Sequence, residues 1–192
     1  LFRSRFKEAR RVMALCNNAH LTAEGYVGDA TEGAMLVYAA DAKDGEPLSA
    51  FTRIAEEPFN STVKRMITLC DRPEASGYEV YLKGAPEVVL AMCDRIYLNG
   101  DTIPLNADRR SQVIDGYRAL AARGERGLAL AIRSVSEPDI PVDGYVFVAI
   151  IGMLDPPRPE VAAAIDQCHS AGIRVMMLTG DYGLTAETIG RQ

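Results

Sequence analysis

The first third of the chain alternates between helical and extended patterns of apolar residues. Residues 6–17 carry apolar positions at helical spacing and end in two asparagines, which predicts a helix and its exit. Asp29 is followed three residues later by Glu32, which predicts a capping box with Asp in place of the usual Ser or Thr. A helix over about 30–42 follows from it, and the turn DGEP comes next.

A pattern of strand-like runs that alternate with turn residues dominates the middle of the chain. It predicts strands in FTRIAEEPF, KRMITLCD and YEVYLK, with RPEASG as a hairpin loop between the second and third. Pro86 suits a first helical position, so a helix over 85–93 is predicted directly after the third strand.

The pattern continues to residue 154 with further short elements. Asn-Gly in IYLNGDTIPL predicts a two-residue hairpin, and residues 109–123 predict a helix that ends near Gly124. LALAIRSV and VFVAIIGML predict two more strands. Residues 1–154 are therefore expected to form an α+β domain, with a mainly antiparallel sheet and flanking helices.

A proline-rich connector, DPPRP at 155–159, interrupts this pattern and predicts a domain boundary between Leu154 and Asp155. Beyond it the sequence predicts a helix over 160–171, a buried strand in RVMMLTGD and a helix from 184 to 190. Helix, apolar strand and helix make half of a parallel α/β unit, whose ligand crevice lies at the carboxyl end of the strand. Residues 155–192 are thus expected to be a hinge and a partial second domain.

Composition and charge narrow the class of protein. The 192 residues are 48% hydrophobic with a formal net charge of −5, and the basic residues are scattered, so nucleic-acid binding is not expected. The apolar run over 145–154 is too short to span a membrane, and the basic N-terminus has no apolar signal core. The four cysteines lie far apart and near no useful histidine, which is typical of reduced cytosolic thiols and predicts neither a zinc site nor a disulfide framework.

Four residues beside turns carry candidate chemistry, and each has a plainer interpretation. Phe59 follows a proline at an expected strand end, where its ring is either packed under a loop or offered to a ligand. Glu32 is either a helix cap or a site carboxylate, and Lys83 either a solvated strand-end lysine or a phosphate ligand beside Gly84. Arg126 is either a surface guanidinium or a phosphate fork.

Several familiar catalytic and nucleotide-binding motifs are absent from this sequence. There is no Gly-x-x-x-x-Gly-Lys-Ser/Thr and no Gly-x-Gly-x-x-Gly, so neither a P-loop nor a dinucleotide fingerprint applies. The two histidines lie in contexts that do not suit a Ser-His-Asp triad.

An ordered set of short motifs nevertheless resembles one family along essentially the whole chain. GDATEGAM, PFNSTVKRM, KGAPE, RGLALA, GMLDPPRPEV and MLTGD, in this order, resemble the nucleotide-binding domain of P-type cation-transporting ATPases, running into the phosphorylation domain. The sequences of FNSTVKRM and DPPRPEV are most similar to those of the calcium- and sodium-pump class. Each motif is short, but the ordered set is specific to this family.

The resemblance implies that residues 1–154 form an ATP-binding domain and assigns roles to its side chains. It implies that Phe59 stacks on adenine, an interaction worth roughly 1–3 kcal/mol. Glu32 would accept a hydrogen bond from the adenine amino group, directly or through water. Lys64 would line the same pocket, Lys83 would close its floor, and Met66 would pack around the base.

The resemblance also extends to the phosphates and to the second domain. It implies that Arg126 reaches toward the phosphates, where a planar fork suits the geometry. Thr179, Gly180 and Asp181 match the family's TGD motif, which helps to hold the terminal phosphate, within an incomplete haloacid-dehalogenase-like segment. Residues 155–159 match the interdomain hinge.

Two motifs of the family are missing from this sequence. The DKTGT motif with its aspartyl nucleophile and the later GDGxND magnesium site do not occur, so neither a catalytic residue nor a metal ligand is assigned here. The resemblance therefore implies a chain that binds ATP without hydrolysing it. The γ-phosphate would pass to an aspartate outside this chain, with Mg²⁺ acting in the full-length enzyme.

The remaining implications concern the parent protein and its alternatives. The expected partners are an adenine nucleotide and the phosphorylation, actuator and transmembrane domains of the same polypeptide, so the chain would be the cytoplasmic part of an integral membrane cation pump. A haloacid-dehalogenase-type phosphatase whose cap is the first domain is one alternative, although no Asp-x-Asp or Asp-x-Thr nucleophile strand occurs. A non-catalytic ATP-sensing module is the other, and this segment does not distinguish it.

Overall fold

The computed structural model describes residues 2–41, 48–72, 76–155, 157–180 and 182–191. Four predicted features lie partly or wholly outside these ranges: the DGEP turn, the middle of the RPEASG loop, Pro156 and Asp181.

The helices follow the amphipathic patterns of the sequence, and all of those described were predicted to within a few residues. They are α1 Phe2–Leu15, α2 Ala30–Ala40, α3 Pro86–Met92, α4 Ala107–Ala121, α5 Val161–Ser170 and α6 Gly183–Gly190, with a 3₁₀ turn at Leu48–Ala50. Local signals set two of the starts, because the Asp29 side chain caps α2 and Pro86 occupies the first turn of α3.

The strands form one large sheet and one small hairpin. They are β1 His20–Thr22, β2 Gly25–Val27, β3 Arg53–Asn60, β4 Arg65–Asp71, β5 Tyr78–Gly84, β6 Cys93–Leu98, β7 Asp101–Pro104, β8 Arg126–Val135 and β9 Tyr145–Met153. Within the described ranges the large sheet has the order β3-β4-β5-β8-β9-β6-β7. Its pairs are antiparallel except β6 with β9, so the predicted mainly antiparallel α+β arrangement is confirmed.

One hairpin was predicted from its turn residues, and another was missed because its strands are short. Asn99 and Gly100 have φ of 55° and 99° and join β6 to β7, as expected for an Asn-Gly hairpin. The β1–β2 hairpin escapes the sequence pattern because each strand has only three residues and all of them are exposed.

The helices cover both faces of the large sheet. Helices α1 and α2 pack on one face, in a core cluster that includes Val12, Met35 and Leu130. Helices α3 and α4 cover the other face, where Val89 and the partly buried Val113 pack with strand residues. The central strands β4 and β5 are buried on both faces, which explains their nearly continuous apolar sequences.

The predicted strand at the end of the chain is wrong. Residues 173–180 have no regular secondary structure, and Met176 and Leu178 are 82% and 89% exposed. A strand exists only when a neighbour satisfies its backbone groups, and among the described residues no strand lies beside this segment.

The last helix packs back on the first 154 residues. Thr185 in α6 is 1% exposed and donates a hydrogen bond to the Glu125 carbonyl oxygen at 3.2 Å. The ring of Tyr182 lies 5.2 Å from that of Tyr117 in α4.

Candidate functional site

A buried ion pair lies at the end of strand β5. Lys83 is 4% exposed, and its Nζ lies 2.5 Å from Oε1 of Glu32 in the first turn of α2. The interpretation of Lys83 as a solvated strand-end lysine is therefore wrong. A lysine buried to this extent needs an anionic partner, and Glu32 supplies it.

Glu32 does not cap its own helix. The Asp29 side chain accepts from the backbone N–H groups of Thr31 and Glu32, at 2.9 and 3.2 Å, and so caps α2. The Glu32 carboxylate instead accepts from Lys83 on one oxygen and from the Asn18 backbone N–H on the other, at 3.0 Å. The predicted capping box is thus correct in its first half only, because a tertiary partner takes the glutamate.

A second polar cluster holds the end of α1 beside this pair. Arg53 on β3 donates to the carbonyl oxygens of Leu15 and Asn17, at 3.0 and 2.5 Å, and to the Asn18 side-chain oxygen at 2.5 Å. It also donates to Glu56 Oε2 at 2.7 Å, while the Asn18 amide donates to Glu56 Oε1 at 3.0 Å. Arg53, Asn18 and Glu56 therefore form a closed ring of hydrogen bonds.

The electrostatics of this ring favour charged side chains. The pKa of Glu56 lies below its ordinary value because the carboxylate accepts from Asn18, and the Arg53 guanidinium lowers it further. Sequence reasoning missed this ring. Arg53 and Glu56 are three apart and belong on opposite faces of a regular strand, but a bulge between Arg53 and Ala55 changes the register.

An aromatic ring and a second lysine lie at the same end of the sheet. Phe59, near the end of β3, is 59% exposed, so it is not packed under a loop. The turn after it ends at Lys64, an exposed residue with φ of 52°. The Lys64 carbonyl oxygen accepts from the Ala85 N–H at 3.0 Å, which seats this turn against the residues that follow Lys83.

Met66 lies beneath this surface instead of on it. Its side chain is 0% exposed and packs in the core cluster with α1 and α2, while its Cα pairs with that of Lys83 across β4 and β5. Its carbonyl oxygen accepts from the Cys16 thiol at 3.4 Å, and burial raises the pKa of that thiol to about 11. Cys16 is therefore a neutral core group and no nucleophile.

Arg126 borders a separate cavity of about 330 Å³. The cavity is lined in part by Thr31, Arg126, Asp155 and Thr185, and it adjoins the same first turn of α2 that carries Glu32. Thr179 and Gly180 are exposed in the irregular segment 173–180 and are not among the lining residues, and Asp181 lies outside the described ranges. The structure thus brings Glu32, Lys83, Phe59 and Lys64 to one end of the sheet, and Arg126 next to it.

The arrangement has the chemistry to hold a flat, polar ring. Phe59 offers an exposed aromatic face, and the ion pair offers a cationic donor and an anionic acceptor. In the part of the chain that the structure describes, no three His, Cys, Asp or Glu residues cluster in a way that could hold a metal ion.

Comparison with known proteins establishes the family. A family model described as "P-type ATPase, cytoplasmic domain N" matches residues 5–160, and the chain belongs to this family.

Individual relatives match nearly the whole chain. It is 34% identical to the sodium/potassium-transporting ATPase subunit alpha-A of Artemia franciscana, over 97% of the chain and 21% of that protein. It is 39% identical to the plasma membrane-type calcium-transporting ATPase 3 of Oryza sativa, over 86% and 17%. It is 36% identical to the cation-transporting ATPase pma1 of Synechocystis, over 93% and 20%.

The chain thus spans about a fifth of the length of the relatives that it matches. None of its described helices combines the length and apolar character needed to cross a membrane.

Proposed function

We propose that the chain is the ATP-binding domain of a P-type cation-transporting ATPase. The observation that carries the proposal is the exposed ring of Phe59 at the sheet end where the Lys83–Glu32 pair is buried. An exposed aromatic face beside polar groups is a surface on which a nucleotide base can stack.

A base with an exocyclic amino group, such as adenine, suits this pair. Its amino group donates hydrogen bonds and its ring nitrogens accept them, so Glu32 and Lys83 complement it. Both Glu32 oxygens already accept one hydrogen bond within the chain, but an ionised carboxylate has about four acceptor sites. An amino group can therefore join without breaking the ion pair. Met66 supports this floor from the core.

Two further cations would contact the nucleotide. Lys64 is exposed in the turn after Phe59, and Arg126 borders the cavity next to α2. We propose that Lys64 lines the base pocket and that Arg126 reaches the phosphate chain as a planar fork. Residues 155–192 would be the hinge and the start of a phosphorylation domain, where Thr179, Gly180 and Asp181 approach the terminal phosphate once neighbouring strands are present.

The activity of the whole protein follows from the same proposal. The relatives are named for sodium/potassium, calcium and cation transport, and a pump of this class would transfer the γ-phosphate to an aspartate. This chain would supply the nucleotide. The aspartate that accepts the phosphate would lie outside this chain, as would the residues that bind Mg²⁺ and the transported cation.

A nucleotide titration followed by NMR tests the proposal. We expect ATP to shift the amide signals around Phe59 and Lys83 with a Kd of about 1 mM, equivalent to about −4 kcal/mol. Mg²⁺ should change this Kd little. Phe59→Ala should weaken binding by about 1–3 kcal/mol through the lost stacking and leave the unfolding temperature unchanged.

Tyr38→Ala is the matched control, because Tyr38 is also an exposed aromatic, 52% accessible, but lies in the last turn of α2. It should bind ATP like the unsubstituted chain. Submicromolar binding that requires Mg²⁺, or equal losses in the two variants, would contradict the proposed site.

A further inference from the structure

The ring of Arg53, Asn18 and Glu56 is linked directly to Glu32. The Asn18 backbone N–H donates to Glu32 Oε2 at 3.0 Å, while the Asn18 side chain is clamped by Arg53 on its oxygen and by Glu56 on its nitrogen. Asn17 adds a second tie, since its amide donates to the Glu32 carbonyl oxygen at 2.8 Å. Both the backbone and the side chain of Glu32 are therefore held by the residues that follow α1.

We propose that Arg53 and Glu56 are positioning residues that set the selectivity of the site for a base bearing an exocyclic amino group. They act through Asn18 on Glu32 and do not contact the nucleotide. This inference rests on the proposed function, because it takes Glu32 as the acceptor for the base.

Geometry explains why Arg53 suits this task. Its guanidinium bonds the Leu15 and Asn17 carbonyl oxygens at the C-terminal end of α1, where the helix dipole favours a cation. The same planar group reaches the Asn18 oxygen and Glu56. One rigid side chain thus fixes the segment whose N–H orients the Glu32 carboxylate.

Loss of this clamp should weaken one contact, the hydrogen bond between the Glu32 carboxylate and the amino group of the base. Without Arg53 or Glu56, Asn18 loses one of its two side-chain anchors, and its N–H no longer holds Glu32 in one orientation. Glu32 keeps its charge and its partner Lys83, so stacking on Phe59 and the phosphate contacts persist. The expected defect is therefore in recognition of the amino group and not in nucleotide binding as a whole.

The test compares ATP with purine riboside 5′-triphosphate, which lacks only the amino group. NMR titrations of the full 192-residue chain would give the ratio of the two Kd values, expected to be about tenfold for a hydrogen bond to a charged acceptor. Arg53→Ala and Glu56→Ala should move this ratio toward one by weakening ATP alone. Faster hydrogen exchange at the backbone N–H of Asn18 should accompany the change in this ratio.

Glu57→Ala is the matched control. Glu57 is the next residue on β3, carries the same charge and pairs with Arg65 at 3.2 Å instead of with Arg53. The ratio of the two Kd values in Glu57→Ala should equal that of the unsubstituted chain. Glu56 is partly exposed, so we expect Glu56→Ala to fold. It therefore tests the positioning role even where Arg53→Ala unfolds.

The outcomes separate this inference from the proposed function. Equal weakening of both nucleotides in Arg53→Ala and Glu56→Ala, or an unchanged ratio, overturns the positioning role. An unsubstituted chain that binds ATP in a Phe59-dependent way but does not distinguish the two nucleotides also overturns it, and leaves the proposed function standing. Absence of ATP binding overturns both.

Discussion

At this site, the burial of a side chain cannot be read from the residues beside it in the sequence. Lys83 and Met66 are both buried, one as an ion pair and the other as a core residue, although they pair across strands at the rim where Phe59 is exposed. The site is therefore a thin polar layer over the core that α1 and α2 build on the sheet. A change in that core should show in stability before it shows in binding.

Met66→Ala tests this order. We expect a loss of about 2–5 kcal/mol in the free energy of unfolding, because a buried methionine leaves a cavity behind. Urea unfolding followed by circular dichroism measures it. Met176 is 82% exposed, and Met176→Ala should stay within about 0.5 kcal/mol. A Met66→Ala protein of unchanged stability that binds ATP as weakly as Phe59→Ala would instead make Met66 a direct contact to the base.

Among the secondary-structure elements, the turn between β3 and β4 depends on its contact with the end of β5. A Cβ at Gly84 would lie 2.6 Å from the Lys64 carbonyl oxygen and 2.9 Å from the Arg65 Cα, and both of these are backbone atoms. Glycine therefore allows the turn that carries Lys64 to sit against the strand that carries Lys83. This close approach places the exposed Lys64 at the end of the sheet where Lys83 is buried.

Gly84→Ala should move that turn. The clash should cost about 1–3 kcal/mol of stability, as overpacking does, and should weaken ATP binding by displacing Lys64. Gly116→Ala is the control, since a Cβ there meets no atom within 4 Å and α4 continues through it. That substitution should stabilise the protein by about 0.5–1 kcal/mol. Thermal unfolding and the ATP titration measure both effects, and normal ATP affinity in Gly84→Ala would show that Lys64 is dispensable.

For the molecule as a whole, the remaining question is how far residues 155–191 are independent of the first 154. The irregular segment 173–180 is exposed, whereas α6 contacts the first unit through Thr185 and Tyr182. The boundary at residues 154 and 155 stays a prediction. With this boundary, we expect the first unit to bind ATP without the tail.

Limited trypsin digestion tests whether the tail is less stable than the first unit and whether ATP binding needs it. Exposed, irregular chain is cut first, so we expect early cleavage after Arg174 and a large N-terminal product that still binds ATP in the NMR titration. The bond after Arg158 should resist because Pro159 follows it. Loss of ATP binding on cleavage would place part of the site in the tail. Resistance of the bond after Arg174 equal to that of bonds in the first unit would contradict a less stable tail.

Local patterns in the sequence were sufficient for most of the fold. Helix periodicity, the Asp29 cap, Pro86 and the Asn99-Gly100 turn depend on residues close together in the chain, and each feature appears where it was predicted. The rim position of Phe59 was readable for the same reason, since a proline before it and a turn after it are local signals. The ordered motifs identified the family without any contact between them.

The features that escaped depend on contacts between distant residues. Glu32 and Lys83 are 51 positions apart, so their pairing required α2 to dock beside β5. Arg53 and Glu56 share a partner only because a bulge shifts the strand, and a period of two cannot show a bulge. The apolar run at 175–178 has the composition of a strand, but among the described residues no strand pairs with it. Backbone hydrogen bonds between strands need two segments, so the pattern of one segment does not determine them.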